Sequence, residues 1–166
     1  MNLGNLQRSA HAFGASFFFT IARNIKEREV RLSDTSKAQA HMPVYHFASP
    51  AELVLPRNCL LIGVELTEDA IDLPSFRHPL AAAYVLGPER GSLSAELQAR
   101  CDAVVKIPTR FCVNVGVAGA IVMYDRILTL GRHAPRPESV LGKPEPLEPH
   151  VHGGQVIRSR MKQKKG

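Results

Sequence analysis

The chain has 166 residues and a formal net charge of +6, with 45% hydrophobic and 22% charged residues, which suits one globular domain with a real core and not comfortably two. No apolar run approaches the roughly 18 residues of a membrane span, and the first residues hold no charged-then-apolar leader. Three cysteines, Cys59, Cys101 and Cys112, argue against a disulfide framework and give no metal-ligand spacing, so a reducing cytoplasm and no metal site are expected.

In chain order, Phe17–Ala22 reads as a strand, Ser33–Ala40 as a loop or short helix, and Val44–Phe47 as a short strand. Pro50–Val54 starts a helical turn, and Cys59–Val64 and Ala82–Leu86 are strands. Ser94 is an N-cap with Glu96 in the first turn, predicting a helix to about Arg100. Ala103–Ile107 is a strand stopped by Pro108. Asn114–Leu130 is the longest helix, with Val115, Ala118, Val122, Tyr124 and Leu128 spread around its circumference; a helix apolar on most faces packs against both the sheet and a second subunit. Alternating strands and helices predict α/β architecture with a largely parallel sheet.

The folded pattern ends near Arg132. Five of the twelve prolines lie between Pro135 and Pro149, and residues 132–166 hold 8 Lys/Arg against 3 Asp/Glu, so the tail contributes +5 of the net charge. The expected division is a domain over 1–132 and a flexible Pro-rich, then basic, tail over 133–166. The basic end, from Arg158 to Lys165, can reach phosphates or simply solubilise the terminus. His150 and His152 lack the further ligands a metal would need.

A parallel sheet invites a nucleotide reading, but the chain contains no G-x-G, and Gly116 and Gly119 fall inside a predicted helix, so the dinucleotide fingerprint and the P-loop are absent. Two other segments offer backbone groups at strand ends. After the strand to Leu86, Gly87, Pro88, Glu89 and Gly91 make an irregular turn before Ser94. After Ile107, Pro108 opens a loop through Cys112 and Val113 to Asn114 at the head of the long helix.

Taken with NLGNLQR over 2–8 and Phe13-Gly14, these segments resemble the three motifs of the SpoU/TrmH branch of SPOUT RNA methyltransferases, in order, over residues 2–131. The resemblance implies a C-terminal deep trefoil knot, an exception to unknotted topology, with helices on both faces of the sheet and homodimers formed through the knot region. It implies S-adenosyl-L-methionine bound through backbone contacts at Leu86, Gly87, Gly91, Ile107, Cys112 and Val113, with Val64 and Glu65 as further contacts. It implies catalytic roles for Arg8, Glu89 and Asn114, and RNA contacts from Asn2 and Arg8. A guanidinium holds its proton too tightly for a base; Arg8 is expected to grip a phosphate and stabilise the developing alkoxide, with Glu89 pairing to it or merely holding its own loop.

Asn2 and Asn114 can each be only helix caps, and His11 reads as packing or solvent-facing. Cys112 stands where the family usually has serine, which puts any hydroxyl-dependent step in doubt. Members carry a strand ahead of the first motif, which here begins at residue 2. Either the start is assigned too late, which is the expectation, or a sheet position stands open. The function implied is 2′-O-methylation of RNA ribose, on tRNA before ribosomal RNA because no separate N-terminal RNA-binding domain is seen; the competing reading is a non-catalytic RNA-binding dimer.

Overall fold

A computed structural model of the chain describes residues 2–21, 42–88 and 91–148. Met1–Gly131 and Arg132–Gly166 are separate compact units. Residues 132–148 carry no helix or strand, and the basic run and both tail histidines lie outside the described residues.

The first unit runs α1 (Asn2–Ala12), β1 (Phe18–Ile21), β2 (Val44–Phe47), β3 (Leu60–Val64), β4 (Ile71–Asp72), β5 (Ala82–Leu86), α2 (Ala95–Arg100), β6 (Ala103–Lys106) and α3 (Val115–Leu130). Single 3-10 turns at Pro50–Glu52 and Leu73–Ser75 precede β3 and follow β4. β2, β5 and α2 fall where the sequence places them, and β1, β3 and β6 begin or end one residue inside their expected limits. The segment 33–40 lies outside the described residues. α1 was not anticipated as a helix: its first turn has no acidic residue to signal a start.

Every described strand pairing is parallel. β1 and β2 form a two-stranded sheet, and the larger sheet has the order β4-β6-β3-β5. Successive side chains of a strand face opposite ways, and β3 shows it. Leu61 joins Ala83, Val85 and the α2 residue Leu97 in one core. Its neighbour Ile62 joins Val105, Leu73 and the α3 residue Val122 in another. Helices therefore cover both faces, as expected. Each fully buried aliphatic side chain contributes roughly 1.5–3 kcal/mol.

α2 starts where Ser94 Oγ accepts the Leu97 N–H at 3.2 Å, and α3 where Asn114 Oδ1 accepts the Gly116 N–H at 2.9 Å. α3 buries Gly116, Ala118, Gly119 and Val122, while Val117, Tyr124 and Leu128 are exposed. Its glycine at 119 is explained by α1. A Cβ there would overlap Leu6 Cδ1, and the Leu86 Cδ2 methyl lies 3.8 Å away. Loss of a side chain mid-helix costs about 1 kcal/mol in propensity and here permits a close helix–helix contact.

Candidate functional site

From β3 the chain passes through β4 at one edge of the sheet to β5 on the other side of β3, and then crosses back to insert β6 between β4 and β3. This reversal is a topological switch point, and open α/β sheets bind ligands outside the carboxyl ends of the strands at such a point. The register places Val64 opposite Leu86 on one side and Val105 on the other. Val64 and Leu86, expected at the site from the sequence, thus end two adjacent strands, and Ile107 directly follows the end of the third.

Two loops rise from those ends. The loop after β5 begins at Gly87, where a Cβ would come within 3.3 Å of both Glu65 Oε2 and Leu93 N. At Gly91 the backbone φ is +107°, a region that a side chain makes costly. Glu89 lies outside the described residues, so its pairing with Arg8 is not described.

The loop after β6 folds on its own threonine. Thr109 N–H donates to the Ile107 carbonyl at 2.7 Å, and Thr109 Oγ1 donates to the Phe111 carbonyl at 2.9 Å. Cys112 is exposed and Val113 half-buried. Asn114 caps α3 through its side-chain oxygen, the structural role that sequence reasoning had left open. Arg8 is exposed on α1, and Asn2 opens that helix. The Leu6–Gly119–Leu86 contact therefore joins the first-motif helix, the third-motif helix and the strand end of the second motif.

Sequence reasoning missed three features. One is the direction of the Glu65 carboxylate, which is turned onto the protein, accepting Leu93 N–H at 2.9 Å and Leu66 N–H at 3.1 Å. Arg110 and Phe111 stand exposed side by side in the loop after β6, Phe111 at 77%; an Arg-Phe pair beside a proline-stopped strand was the available signal.

The third is a polar chain where β5 begins. Arg126 donates to Tyr84 Oη at 3.1 Å, and the tyrosine hydroxyl lies 2.6 Å from His78 Nδ1, donating to it when the ring is neutral with its proton on the carboxylate side. That leaves His78 Nε2–H to donate to Asp125 Oδ2 at 2.8 Å. Arg126 also holds the Pro79 and Leu80 carbonyls at 2.6 and 2.7 Å. Burial pushes the Tyr84 hydroxyl above its ordinary range, against the opposing pull of Arg126. Burial and then the neighbouring Asp102 charge push the Cys101 thiol up.

A cleft of about 1300 Å³ separates the two sheets, walled by β1, β5, α1 and α3 and reaching Gly87 and Pro88 at one end. Its walls are mostly apolar side chains, so the orienting groups lie at the strand ends rather than within it. Among the described residues no cluster of three His, Cys, Asp or Glu is arranged to hold a metal, and no helix is long and apolar enough to cross a membrane.

Residues 1–124 match the SpoU rRNA Methylase family. An uncharacterized tRNA/rRNA methyltransferase of Archaeoglobus fulgidus is 31% identical over 130 residues, 74% of this chain and 57% of that protein. The mouse tRNA (guanosine(18)-2′-O)-methyltransferase TARBP1 is 28% identical over 134 residues, 75% of this chain but 8% of its own length. The chain thus spans little more than half of the archaeal relative and a small part of the mouse one. Among solved structures, the AdoMet-bound rRNA methyltransferase of Sinorhizobium meliloti superposes with a TM-score of 0.67 at 21% identity, covering 78% of this chain and 52% of that one.

Proposed function

Because the chain belongs to the SpoU rRNA methylase family, we propose that it is an S-adenosylmethionine-dependent RNA ribose 2′-O-methyltransferase, acting on tRNA before ribosomal RNA. The observation that carries this reading is the convergence at one switch point of three strand ends, at Val64, Leu86 and Val105, with α1 held against Leu86 through Gly119. The tRNA preference leans on the mouse relative, whose name specifies a tRNA guanosine.

The residues present fit the cofactor. Gly87 and Gly91 keep the first loop free of side chains where the backbone turns, and the second loop offers the backbone of Cys112 and Val113. Val64, Leu86 and Ile107 would form the floor. When bound, S-adenosylmethionine supplies a methyl group activated by its sulfonium.

The protein's part is orientation and charge. Arg8⁺ would grip a phosphate beside the target ribose and stabilise the negative charge developing on the 2′-oxygen, the methyl's bond to sulfur breaking to leave the neutral thioether S-adenosylhomocysteine. The 2′-hydroxyl proton passes to that phosphate rather than to the guanidinium. Glu89 orients Arg8, Asn2 contacts the RNA, and Asn114 acts by fixing the start of α3. Arg110 and Phe111 offer the RNA a cation and an aromatic face on which an unpaired base can stack.

The C-terminal deep trefoil knot of the family belongs to this proposal, as does a homodimer through that region, supported by the exposure of Val117, Tyr124 and Leu128 on α3. A reducing cytoplasm suits its three free thiols.

The test is transfer of tritiated methyl from S-adenosylmethionine to unmodified tRNA, followed by alkaline digestion, which spares 2′-O-methylated linkages. Arg8→Ala is expected to lower kcat/KM about a hundredfold or more while the melting temperature holds. Cofactor binding by calorimetry with no label on any RNA would leave the non-catalytic RNA-binding dimer in its place.

A further inference from the structure

Glu65 is the residue at which the three strands of the switch point are tied together. Its N–H donates to the Val105 carbonyl at 3.0 Å, joining the end of β3 to β6. Its side chain crosses to the loop after β5, where Oε2 accepts the Leu93 N–H at 2.9 Å. Oε1 takes the N–H of Leu66 at 3.1 Å, so each oxygen has a backbone donor.

Leu93 is pinned twice more. Its side chain is 5% exposed, in the core with Leu61 and Val85, and its carbonyl accepts from Gln98 Nε2 at 2.8 Å. Gly87 completes the arrangement, because a Cβ there would lie 3.3 Å from the same Glu65 oxygen. The carboxylate fills the space that a side chain at the loop's first residue would need. The span between Gly87 and Leu93 is set across the carboxylate.

Resting on the function proposed above, we infer that Glu65 is a positioning residue: it holds Gly87 and Leu93, on either side of the turn after β5, and acts on the cofactor through the backbone there, not by its charge. A charge acting directly on the sulfonium would distinguish S-adenosylmethionine from the uncharged thioether S-adenosylhomocysteine. A loop brace treats the two alike. An ionised carboxylate accepting a backbone N–H is one of the stronger kinds of hydrogen bond, and its removal leaves a partly buried donor without an acceptor.

Three substitutions separate reach from charge. Glu65→Gln keeps the length and an acceptor oxygen; Glu65→Asp keeps the charge but falls one methylene short of Leu93; Glu65→Ala loses both. Calorimetric affinities for S-adenosylmethionine and S-adenosylhomocysteine are measured for each, with amide hydrogen exchange at Leu93 in the ligand-free protein. Asp and Ala are expected to weaken both ligands equally, by about 10- to 100-fold, and to speed Leu93 exchange. Gln is expected to stay within about threefold of wild type with Leu93 still protected, since its one acceptor oxygen can serve the part-buried Leu93 N–H and only the exposed bond to Leu66 is given up.

Selective loss of S-adenosylmethionine, a Gln variant as poor as Ala, or fast Leu93 exchange with unchanged affinity each overturns the inference. Should Ala fail to fold, the Asp and Gln pair decides alone. A wild-type chain that binds neither compound overturns the proposed function instead, and Leu93 exchange then still shows whether the brace exists.

Discussion

The two ends of the larger sheet are built on opposite terms. Beside β5, a set of polar side chains is spent on one another. Arg126, Tyr84, His78 and Asp125 form one donor-to-acceptor chain, and the His78 side chain is fully enclosed. Where β3, β5 and β6 finish, the chain turns through glycines and a threonine-held loop, and Cys112, Arg110 and Phe111 stand exposed. A closed polar chain holds α3 rigidly on β5 at one end, so irregular backbone can be carried at the other. On the proposed function, stability and ligand contact fall to different ends of the same elements.

That division can be broken from either side. The largest effect is expected from His78→Ala, which leaves Tyr84 and Asp125 without their shared partner and opens space beside Phe76. It should cost about 3 kcal/mol of unfolding free energy in denaturant titrations, with cofactor affinity in the remaining folded protein nearly unchanged. An equal fall in affinity would show that the two ends are not separate.

Gly91→Ala is the converse. At a φ of +107° the strain is about 1–2 kcal/mol, expected mainly as weaker binding of S-adenosylmethionine by calorimetry. Tyr84→Phe removes one hydroxyl and should cost about 1 kcal/mol. It also has a signature in pH. Burial raises the Tyr84 hydroxyl, so its contribution is fully present below the unfolded value of about 10 and is lost as pH rises through the higher folded one. The wild-type alkaline unfolding limb should therefore be steeper than that of the phenylalanine variant. The smallest effect is chemical: an alkylating reagent should label exposed Cys112 before Cys59 or Cys101, read by mass spectrometry, because burial raises both of the latter and the thiolate is the reactive form.

How much of this was legible in the sequence depends on the range of the interaction. β5 and α2 are bounded by their neighbours in the chain, a glycine-proline turn and a serine cap, and both were placed to the residue. The two loops were legible because glycine and proline mark them locally. Glu65 was placed at a strand end near the site, but its partner Leu93 is 28 residues away, so the direction of its carboxylate could not be read. His78 and Asp125 are separated by 47 residues, and a single histidine outside any periodic run carries no signal. The insertion of β6 between β4 and β3 is likewise a property of pairing, not of any segment. α1 was recognised as a motif and not as a helix, since what makes it helical is its packing on α3.

The seat of Leu6 on the bare backbone at Gly119 has a mechanical corollary. With only the Leu6 side chain between the helix backbones at this point, α1 and α3 are closely apposed, with Arg8 on one helix and Asn114 at the head of the other. A methyl group added at position 119 would displace Leu6 and, on the proposed function, is expected to move Arg8 from deep inside the protein without touching a reactant.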